Sequence, residues 1–287
     1  MRRLGFHLSI AGGVHNAPKE AVALGYTAFQ IFTTSSRSWK NSIIEKDDAL
    51  EFFTLCKEND IMPFAHIPYL CNPASSNPHV YVMSRTMLVN NMKNCDLLGI
   101  RYLVIHLGSH LGNGIGAGIE NVCNMLGSVL DMPGRVNILL ENGSGYKNCV
   151  GSRFSEIGKI IDNSGSARIG VCFDTCHAFA AGYNMVDTKH VEDLAKEFSS
   201  NISPSRLALI HLNDSKYQCG SGLDRHMHIS HGNIGEAGLI NLLNRKIFSN
   251  CPCIMELPED HSGSHSTDME AAKSIIKRSR EMPPMPI

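Results

Sequence analysis

Short apolar segments rich in β-branched or aromatic residues recur along the chain at intervals of roughly 25 to 45 residues. Segments of about four to eight residues that are apolar throughout are typical of strands buried in a parallel sheet. Eight segments have this character: LGFHLS (4–9), AFQIF (28–32), IMPFAH (61–66), YLVIH (102–106), NILLE (137–141), IGVCFD (169–174), LALIHL (207–212) and PCIMEL (252–257). The pattern therefore predicts eight strands.

The stretches between these segments show the spacing of amphipathic helices. One of them opens with Asn77 as the N-cap and Pro78 at the first helical position, and its apolar residues then recur at helical spacing from Val80 to Cys95. Another follows Asp187, with Val191, Leu194, Ala195 and Phe198 on one face. Strands and helices are therefore predicted to alternate.

Eight alternating units in 287 residues favour a single (β/α)8 TIM barrel, an α/β fold with its active site at the C-terminal ends of the strands. The alternative is an open doubly wound sheet, but no G-x-G-x-x-G turn follows the first strand. We predict one barrel domain over residues 1–280 and a loose tail, EMPPMPI, over 281–287. The long connection after the seventh strand, 213–236, is expected to be functional.

Composition narrows the class of protein. With 43% hydrophobic and 18% charged residues, the chain can bury a large core, and no apolar run is long enough to span a bilayer. We expect a cytoplasmic protein whose ten cysteines are reduced thiols, including Cys172, Cys176 and Cys253 beside apolar segments. A net charge of −1 gives no global attraction to nucleic acid, so any DNA contact must come from a local patch.

Polar residues that can bind metals lie at or near the ends of six consecutive predicted strands. They are His66, His106, Glu141, Asp174, His211 and Glu256. Because parallel strands of a barrel end on one face, these side chains are expected to converge there. So many ionisable groups in one place need a compensating charge, which a divalent metal supplies.

Two short motifs enlarge this candidate site. DTCH places Asp174 and His177 on a turn from strand to helix, and DRH places Asp224 and His226 in the long connection. Nine histidine and carboxylate ligands suit two or three ions, and the histidine content favours zinc over manganese or iron. The absence of cysteine from the set argues against a purely structural zinc site. Nitrogen and carboxylate ligands with positions left for water point to hydrolysis, with phosphodiester cleavage as the favoured reaction.

The order and spacing of several sequence motifs resemble the endonuclease IV family (AP endonuclease family 2, zinc-dependent deoxyribonuclease IV) over about residues 1–257. The motifs are LGFHLSIAGGV, AFQIFTTSSRSW, HIPYL, HLGSH, LLENGSG, GVCFDTCHAFAAGY, HLNDSK, DRHMHI and HGNIG. The resemblance implies a base excision repair enzyme that uses three zinc ions and cleaves duplex DNA 5′ to abasic sites. It would leave a 3′-hydroxyl and a 5′-deoxyribose phosphate and would also remove blocking groups from 3′ ends.

The resemblance also implies a role for each candidate residue. One zinc would be bound by His66 and His106, with Glu141 bridging to a second zinc held by Asp174, His211 and Glu256, and a third bound by His177, Asp224 and His226. Mn²⁺ is an alternative at one site. Glu141 would also position the attacking hydroxide, and Arg37, Tyr69 and Leu70 would contact the DNA at the lesion. The expected partner is duplex DNA with abasic sites or blocked 3′ ends, bound by a monomer without a membrane.

Some positions depart from the family pattern or have no assigned role. Leu107 stands where the family commonly has proline, Ser230 and His231 where it has a Gly-Glu pair, and Leu257 where it has threonine. These departures put rate and metal preference in doubt more than the reaction. Lys40, Lys147, Lys216 and Arg225 could contact phosphates, His7 and His110 are expected to give hydrogen-bonding support, and His228 is expected to contact solvent or phosphate.

Two other functions remain open at this point. Sugar isomerases and epimerases related to xylose isomerase share the barrel and its metal-binding carboxylates, although they generally need only one or two metals. A noncatalytic protein that binds damaged DNA could also retain the fold. All nine candidate ligands are present, however, which argues against a protein that has lost its catalysis.

Overall fold

The computed structural model describes residues 2–258, 264–283 and 285, and the strands in them form a parallel barrel. In chain order the strands are β1 (Leu4–Phe6), β2 (Ala28–Phe32), β3 (Met62–His66), β4 (Tyr102–His106), β5 (Asn137–Glu141), β6 (Ile169–Asp174), β7 (Leu207–His211), β8 (Asp214–Ser215), β9 (His226–Met227) and β10 (Cys253–Met255). The barrel order is β1-β10-β7-β6-β5-β4-β3-β2. Parallel bridging between His7 and Gln30 joins the two end strands, and the predicted (β/α)8 barrel is confirmed.

Helices connect the strands and cover the barrel. They are α1 (Asn16–Ala23), α2 (Lys46–Glu58), α3 (Pro78–Leu98), α4 (Ile115–Leu130), α5 (Phe154–Ser164), α6 (Thr175–Ala180), α7 (Thr188–Asn201), α8 (Gly235–Asn244) and α9 (Ser264–Glu281). Helix α3 begins as predicted, because the Asn77 side chain accepts hydrogen bonds from the backbone N–H groups of His79 and Val80. In the part of the chain that the structure describes, no helix is both long and apolar enough to cross a membrane.

Two apolar layers stabilise this arrangement. The larger one lies between strands and helices and includes Phe29, Phe52, Phe173 and Phe198, all fully buried. The smaller one fills the barrel interior and consists of Ala28, Phe64, Val104, Leu139, Cys172, Leu209 and Ile254. Alternate residues of a strand face the same side. The residue two positions after each of these interior residues therefore also points into the barrel.

The predicted strands are longer than the observed ones at both ends of the chain. The first ends at Phe6 and the last at Met255, so His7 and Glu256 follow their strands directly. The connection 213–236, predicted as a loop, contains the antiparallel pair β8 and β9. A buried carboxylate, Asp214, accepts hydrogen bonds from the backbone N–H groups of Ser215, Gly232, Ile234 and Gly235, which hold the two ends of this connection together.

The division into a domain and a tail stays a prediction. Helix α9 runs to Glu281, across the expected boundary at residue 280. Residues 284, 286 and 287 of the expected tail lie outside the described residues. Within it, the backbone N–H of Met285 donates to Asn244, and its carbonyl accepts from the N–H of Lys246.

Candidate metal centre

One polar side chain from each barrel strand, or from the residue directly after it, points into the C-terminal mouth of the barrel. The eight residues are His7, Gln30, His66, His106, Glu141, Asp174, His211 and Glu256. Each lies two positions after an interior position of its strand, as Glu141 follows Leu139 and His211 follows Leu209. Strand alternation therefore places the polar ring directly above the apolar layer, and the six residues predicted from strand ends all belong to it.

The carboxylate of Glu141 lies at the centre of this ring and is fully buried. Its Oε2 is 3.0 Å from Nε2 of His66 and 3.3 Å from Nδ1 of His106. Its Oε1 is 2.9 Å from Nδ1 of His211 and 3.4 Å from Nδ1 of His177. The two oxygens thus face different groups of histidines, which is the arrangement that a bridging carboxylate requires.

A second group of ligand atoms surrounds His211. Its Nδ1 lies 3.2 Å from Oε2 of Glu256 and 3.7 Å from Oδ2 of Asp174, in addition to its contact with Glu141. His211 and Asp174 are fully buried, whereas the Glu256 side chain is 19% exposed. These atoms form one tight cluster of possible metal ligands.

A third group lies at the outer side of the mouth. His177 Nε2 is 3.1 Å from Oδ2 of Asp224, and His226 Nε2 is 3.3 Å from its other carboxylate oxygen. His177 comes from α6, which Asp174 caps by accepting a 2.7 Å hydrogen bond from the His177 backbone N–H. His226 begins β9, and the side chain of Asp224 is 48% exposed. The DTCH and DRH motifs therefore meet, as the sequence predicts.

Backbone carbonyls orient three of the histidines. Nδ1 of His66 faces the carbonyl oxygen of Ile67 at 2.7 Å, and Nδ1 of His177 faces that of Asn142 at 3.0 Å. Nδ1 of His226 faces the carbonyl oxygen of Glu256. Because a carbonyl can only accept, each Nδ1 carries a proton, and Nε2 is the ring nitrogen turned towards the centre.

The donor geometry fits metal ions. Ligands bound about 2.0–2.2 Å from a tetrahedral zinc lie roughly 3.3–3.6 Å apart, close to the separations within each group. Among the described residues, Nε2 of His177 and of His226 are buried and lie near the Asp224 carboxylate without the geometry of a hydrogen bond. Such atoms are costly to bury unless a ligand satisfies them.

Cysteine is nearer to this centre than the sequence suggests. The Sγ of Cys176 lies within 4.8 Å of ligand atoms of Asp224 and His226. Burial raises the pKa of Cys176 to about 12, so its thiol stays protonated, and the thiol points to the carbonyl oxygen of Arg225 at 3.6 Å. The thiol is engaged with this carbonyl, and the nitrogen and oxygen donors remain the candidate set. All ten cysteines are free, as expected.

The charges in the cluster depend on one another. Burial opposes ionisation of Glu141, but His106 and His211 hold the pKa of its carboxyl well below the usual value. Burial lowers the pKa of His106 to about 4 and raises the pKa of Asp174. Burial alone would lower the pKa of His177, yet Asp174 and Asp224 raise it well above the usual value. Protons on imidazoles therefore supply the positive charge that cations would otherwise supply.

Sequence reasoning missed several residues that hold the ligands in place. The Asn213 amide donates to Oδ2 of Asp174 at 2.7 Å and accepts from the backbone N–H of Glu256 at 2.8 Å. Asn142 bonds both backbone groups of Asp174, and Gln30 lies between Glu256 and His211. Gln30 carried a usable signal, because it is a polar residue inside the apolar segment AFQIF.

The predicted DNA contacts lie at the rim of the same mouth. The Tyr69 side chain is 70% exposed, and its ring packs edge-on against Phe32 with centroids 5.4 Å apart. Leu70 is partly buried against the core, and Arg37 is exposed in the connection after β2. The four basic residues of the strand-end connections, Lys40, Lys147, Lys216 and Arg225, are also exposed.

The remaining sequence-based expectations meet different outcomes. His110 accepts hydrogen bonds from the N–H groups of Gly112 and Gly114, so its supporting role is confirmed. His228 is partly buried, and its Nδ1 lies 2.8 Å from a carboxylate oxygen of Asp268 in α9. The His228 side chain is also 19% exposed, so its expected surface or phosphate contact stays a prediction beside this contact with a residue 40 positions away.

The departures from the family pattern leave the ligand positions intact. Leu107 is buried, and Ser230 adopts a left-handed backbone conformation with φ of 70°. His231 is exposed, and Leu257 is partly buried.

The parallel barrel, with histidines and carboxylates gathered at its C-terminal mouth, places the chain in the class of TIM-barrel proteins with a candidate metal centre. Comparison with known sequences agrees with this class. The family model described as "Xylose isomerase-like TIM barrel" matches residues 18–282. Proteins named "Probable endonuclease 4" from Cenarchaeum symbiosum and Methanoculleus marisnigri are 40% and 39% identical to the chain. Each alignment covers 95% of this chain and 99% or 98% of the relative.

The chain belongs to the endonuclease IV family of DNA-repair nucleases. The crystal structure of endonuclease IV from Thermus thermophilus is 31% identical and superposes with a TM-score of 0.86, covering 96% of this chain and 99% of that one. A D-tagatose 3-epimerase-like protein is 18% identical with a TM-score of 0.75, over 97% and 98% of the chains. The likeness to the epimerase shows the shared fold alone.

Proposed function

We propose that the chain is a zinc-dependent AP endonuclease that hydrolyses the phosphodiester 5′ to abasic sites in duplex DNA. The products are a 3′-hydroxyl and a 5′-deoxyribose phosphate, and the same centre removes blocking groups from 3′ ends in base excision repair. The observation that carries this proposal is the pair of ligand groups on either side of Glu141, joined by a third group around Asp224. Identity of 40% to proteins named endonuclease 4 supports the choice of DNA as substrate.

We propose that three zinc ions bind in this mouth, with Mn²⁺ as an alternative at one site. The first zinc would be held by His66, His106 and Glu141, the second by Glu141, Asp174, His211 and Glu256, and the third by His177, Asp224 and His226. When bound, the ions activate water and stabilise charge on phosphate oxygens. All nine ligands come from one chain, which supports a monomeric enzyme.

The chain's own groups prepare the phosphodiester for in-line attack. Glu141 points both carboxylate oxygens into the centre and positions the attacking hydroxide between the first two ligand groups. Its complete burial keeps bulk water away from that position. The half-exposed side chain of Asp224 and the 27% exposed side chain of His106 form the accessible edge, where the scissile phosphate enters.

Side chains at the rim recognise the lesion. We propose that Tyr69 and Leu70 enter the duplex at the abasic site while Arg37 contacts the strand beside it. The exposure of Tyr69 and its position against Phe32, next to the metal centre, support this role. An abasic nucleotide is easily extruded because its base stacking is already lost.

The test is incubation of the purified protein with a duplex that carries one synthetic abasic site. We expect a single nick on the 5′ side of the lesion, loss of activity after chelator treatment and recovery with zinc. The same duplex without the lesion is the control and should stay intact. A 3′-blocked duplex tests end cleaning separately. Failure to nick the abasic duplex, with zinc present, would overturn the proposal.

A further inference from the structure

Gln30 is the one amide in the polar ring at the mouth of the barrel. It lies in the middle of β2, is fully buried and points into the same space as the candidate zinc ligands. The other seven ring members are histidines or carboxylates. A buried amide among them requires hydrogen-bond partners on both its oxygen and its nitrogen.

The partners of Gln30 fix the orientation of its amide. Its nitrogen lies 2.6 Å from Oε1 of Glu256 and 3.0 Å from Nδ1 of His7, while its oxygen lies 2.9 Å from Nε2 of His211. An ionised carboxylate can only accept, so the amide nitrogen must face Glu256. The amide oxygen can only accept in turn, so Nε2 of His211 carries the proton.

This arrangement decides which atoms of His211 and Glu256 face the centre. Because Nε2 holds its proton against the amide oxygen, Nδ1 is the ring nitrogen of His211 left to bind a metal, and it lies 2.9 Å from Oε1 of Glu141. With Oε1 occupied by the amide, Glu256 presents Oε2, which lies 3.2 Å from that same Nδ1. One side chain therefore orients two ligands of opposite hydrogen-bonding character.

His211 also differs from the other histidines in how it is held. Three of them direct Nδ1 to a backbone carbonyl: His66, His177 and His226. A backbone carbonyl is present whatever the side chain, so these contacts do not depend on the identity of another residue. The outer nitrogen of His211 is instead held by the side chain of Gln30. Groups that orient metal ligands in this way strongly affect metal affinity.

We propose that Gln30 is a positioning residue that sets the proton of His211 and the free oxygen of Glu256 for the second zinc. His7 completes the contact by accepting the second N–H of the amide, and its ring packs against Phe32 at 4.3 Å. The inference rests on the proposed function, because it assumes that zinc binds here. The polar residue of β2 would thereby strengthen the binding of one particular zinc ion.

Zinc release from the full-length holoenzyme tests this role. Gln30→Met keeps the length of the side chain and removes all three hydrogen bonds of the amide. Gln30→Glu keeps an acceptor for His211 but turns a carboxylate towards Glu256. In both variants we expect one of the zinc ions to pass to a chromophoric chelator about 10- to 100-fold faster than in the wild type, with the others unchanged. The chelator signal counts the ions directly, whatever the nuclease activity.

Asn91→Leu is the matched control. Asn91 is also a fully buried amide, but it bonds Thr33 and the carbonyl of Met87, away from the ligands. We expect it to keep wild-type release even if its melting temperature falls. Wild-type release from both Gln30 variants, or equal acceleration of all ions, would overturn the inference. Absence of zinc from the wild-type protein would instead overturn the proposed function.

Discussion

At the scale of single residues, we expect the binding of cations to this centre to displace protons. Burial alone would lower the pKa of His177, but Asp174 and Asp224 raise it well above its usual value. The pKa of His211 is also raised against the effect of burial, first by Cys172 and then by Glu256 and Glu141. These imidazoles are therefore protonated in the metal-free protein at neutral pH. Zinc binds only the deprotonated form, so its uptake must release protons, and its affinity must decrease as the pH falls.

Calorimetry measures this exchange. Titrating zinc into metal-free protein at pH 7 should give heats that change with the ionisation enthalpy of the buffer, because the buffer takes up the released protons. His177→Gln should reduce the number of protons released. Heats that are identical in two such buffers would contradict the assignment of protons to His177 and His211.

Glu141 allows a second test at this scale. Glu141→Gln preserves the shape of the side chain and removes its negative charge, which the first two ligand groups share. We expect turnover on an abasic duplex to fall by on the order of 10²- to 10⁴-fold, since the side chain both bridges and positions the attacking group. Zinc content, measured by mass spectrometry, must accompany the rate. Near-normal turnover with full zinc content would show that Glu141 does not position the attacking group.

At the scale of elements, the cap of α3 stabilises the longest helix of the described chain. The Asn77 side chain accepts from two backbone N–H groups, those of His79 and Val80, which otherwise have no partner within the helix. Asn77→Ala should therefore lower the free energy of unfolding by about 1 kcal/mol. Urea titration followed by circular dichroism measures the change.

The control for this cap is Asn77→Asp, which keeps an oxygen acceptor and should retain most of the stability. Cleavage of the abasic duplex at 25 °C should be the same in both variants, because Asn77 does not contact the metal centre. Equal loss of stability in Asn77→Ala and Asn77→Asp would mean that the side-chain hydrogen bonds do not stabilise α3.

The elements also show what the sequence could and could not predict. Apolar segments identified the barrel strands because burial on both faces leaves an uninterrupted hydrophobic run. Side chains alternate between the two faces of a strand with a period of two residues. That alternation would have identified Gln30, which follows Ala28 as Glu141 follows Leu139. No local pattern could reveal the β8 and β9 pair or the contact of His228 with Asp268, because these depend on residues brought together only by the fold.

At the scale of the whole molecule, the distribution of charge matters more than its sum. The net charge is −1, yet exposed basic residues lie in the connections at the C-terminal ends of the strands, beside the metal centre. The relevant residues are Lys40, Lys147, Lys216 and Arg225. We therefore expect DNA to be attracted by this mouth and not by the protein as a whole.

Salt dependence of DNA binding tests this distribution. Each phosphate neutralised by a basic side chain contributes about −0.9 to the slope of log affinity against log salt, so four contacts give a slope of about −3 to −4. Lys147→Gln should make the slope shallower by about 0.9. The measurement uses an abasic duplex and fluorescence anisotropy in the Glu141→Gln background, so that the DNA stays intact.

Lys57→Gln removes the same charge from the opposite end of the barrel. Lys57 is an exposed residue in the last turn of α2, close to Met62 at the start of β3. Its slope should equal that of the parent protein, because no phosphate reaches that end when the lesion occupies the metal centre. If Lys57→Gln and Lys147→Gln changed the slope equally, the net charge would govern binding, and the C-terminal mouth would not be the DNA-binding surface.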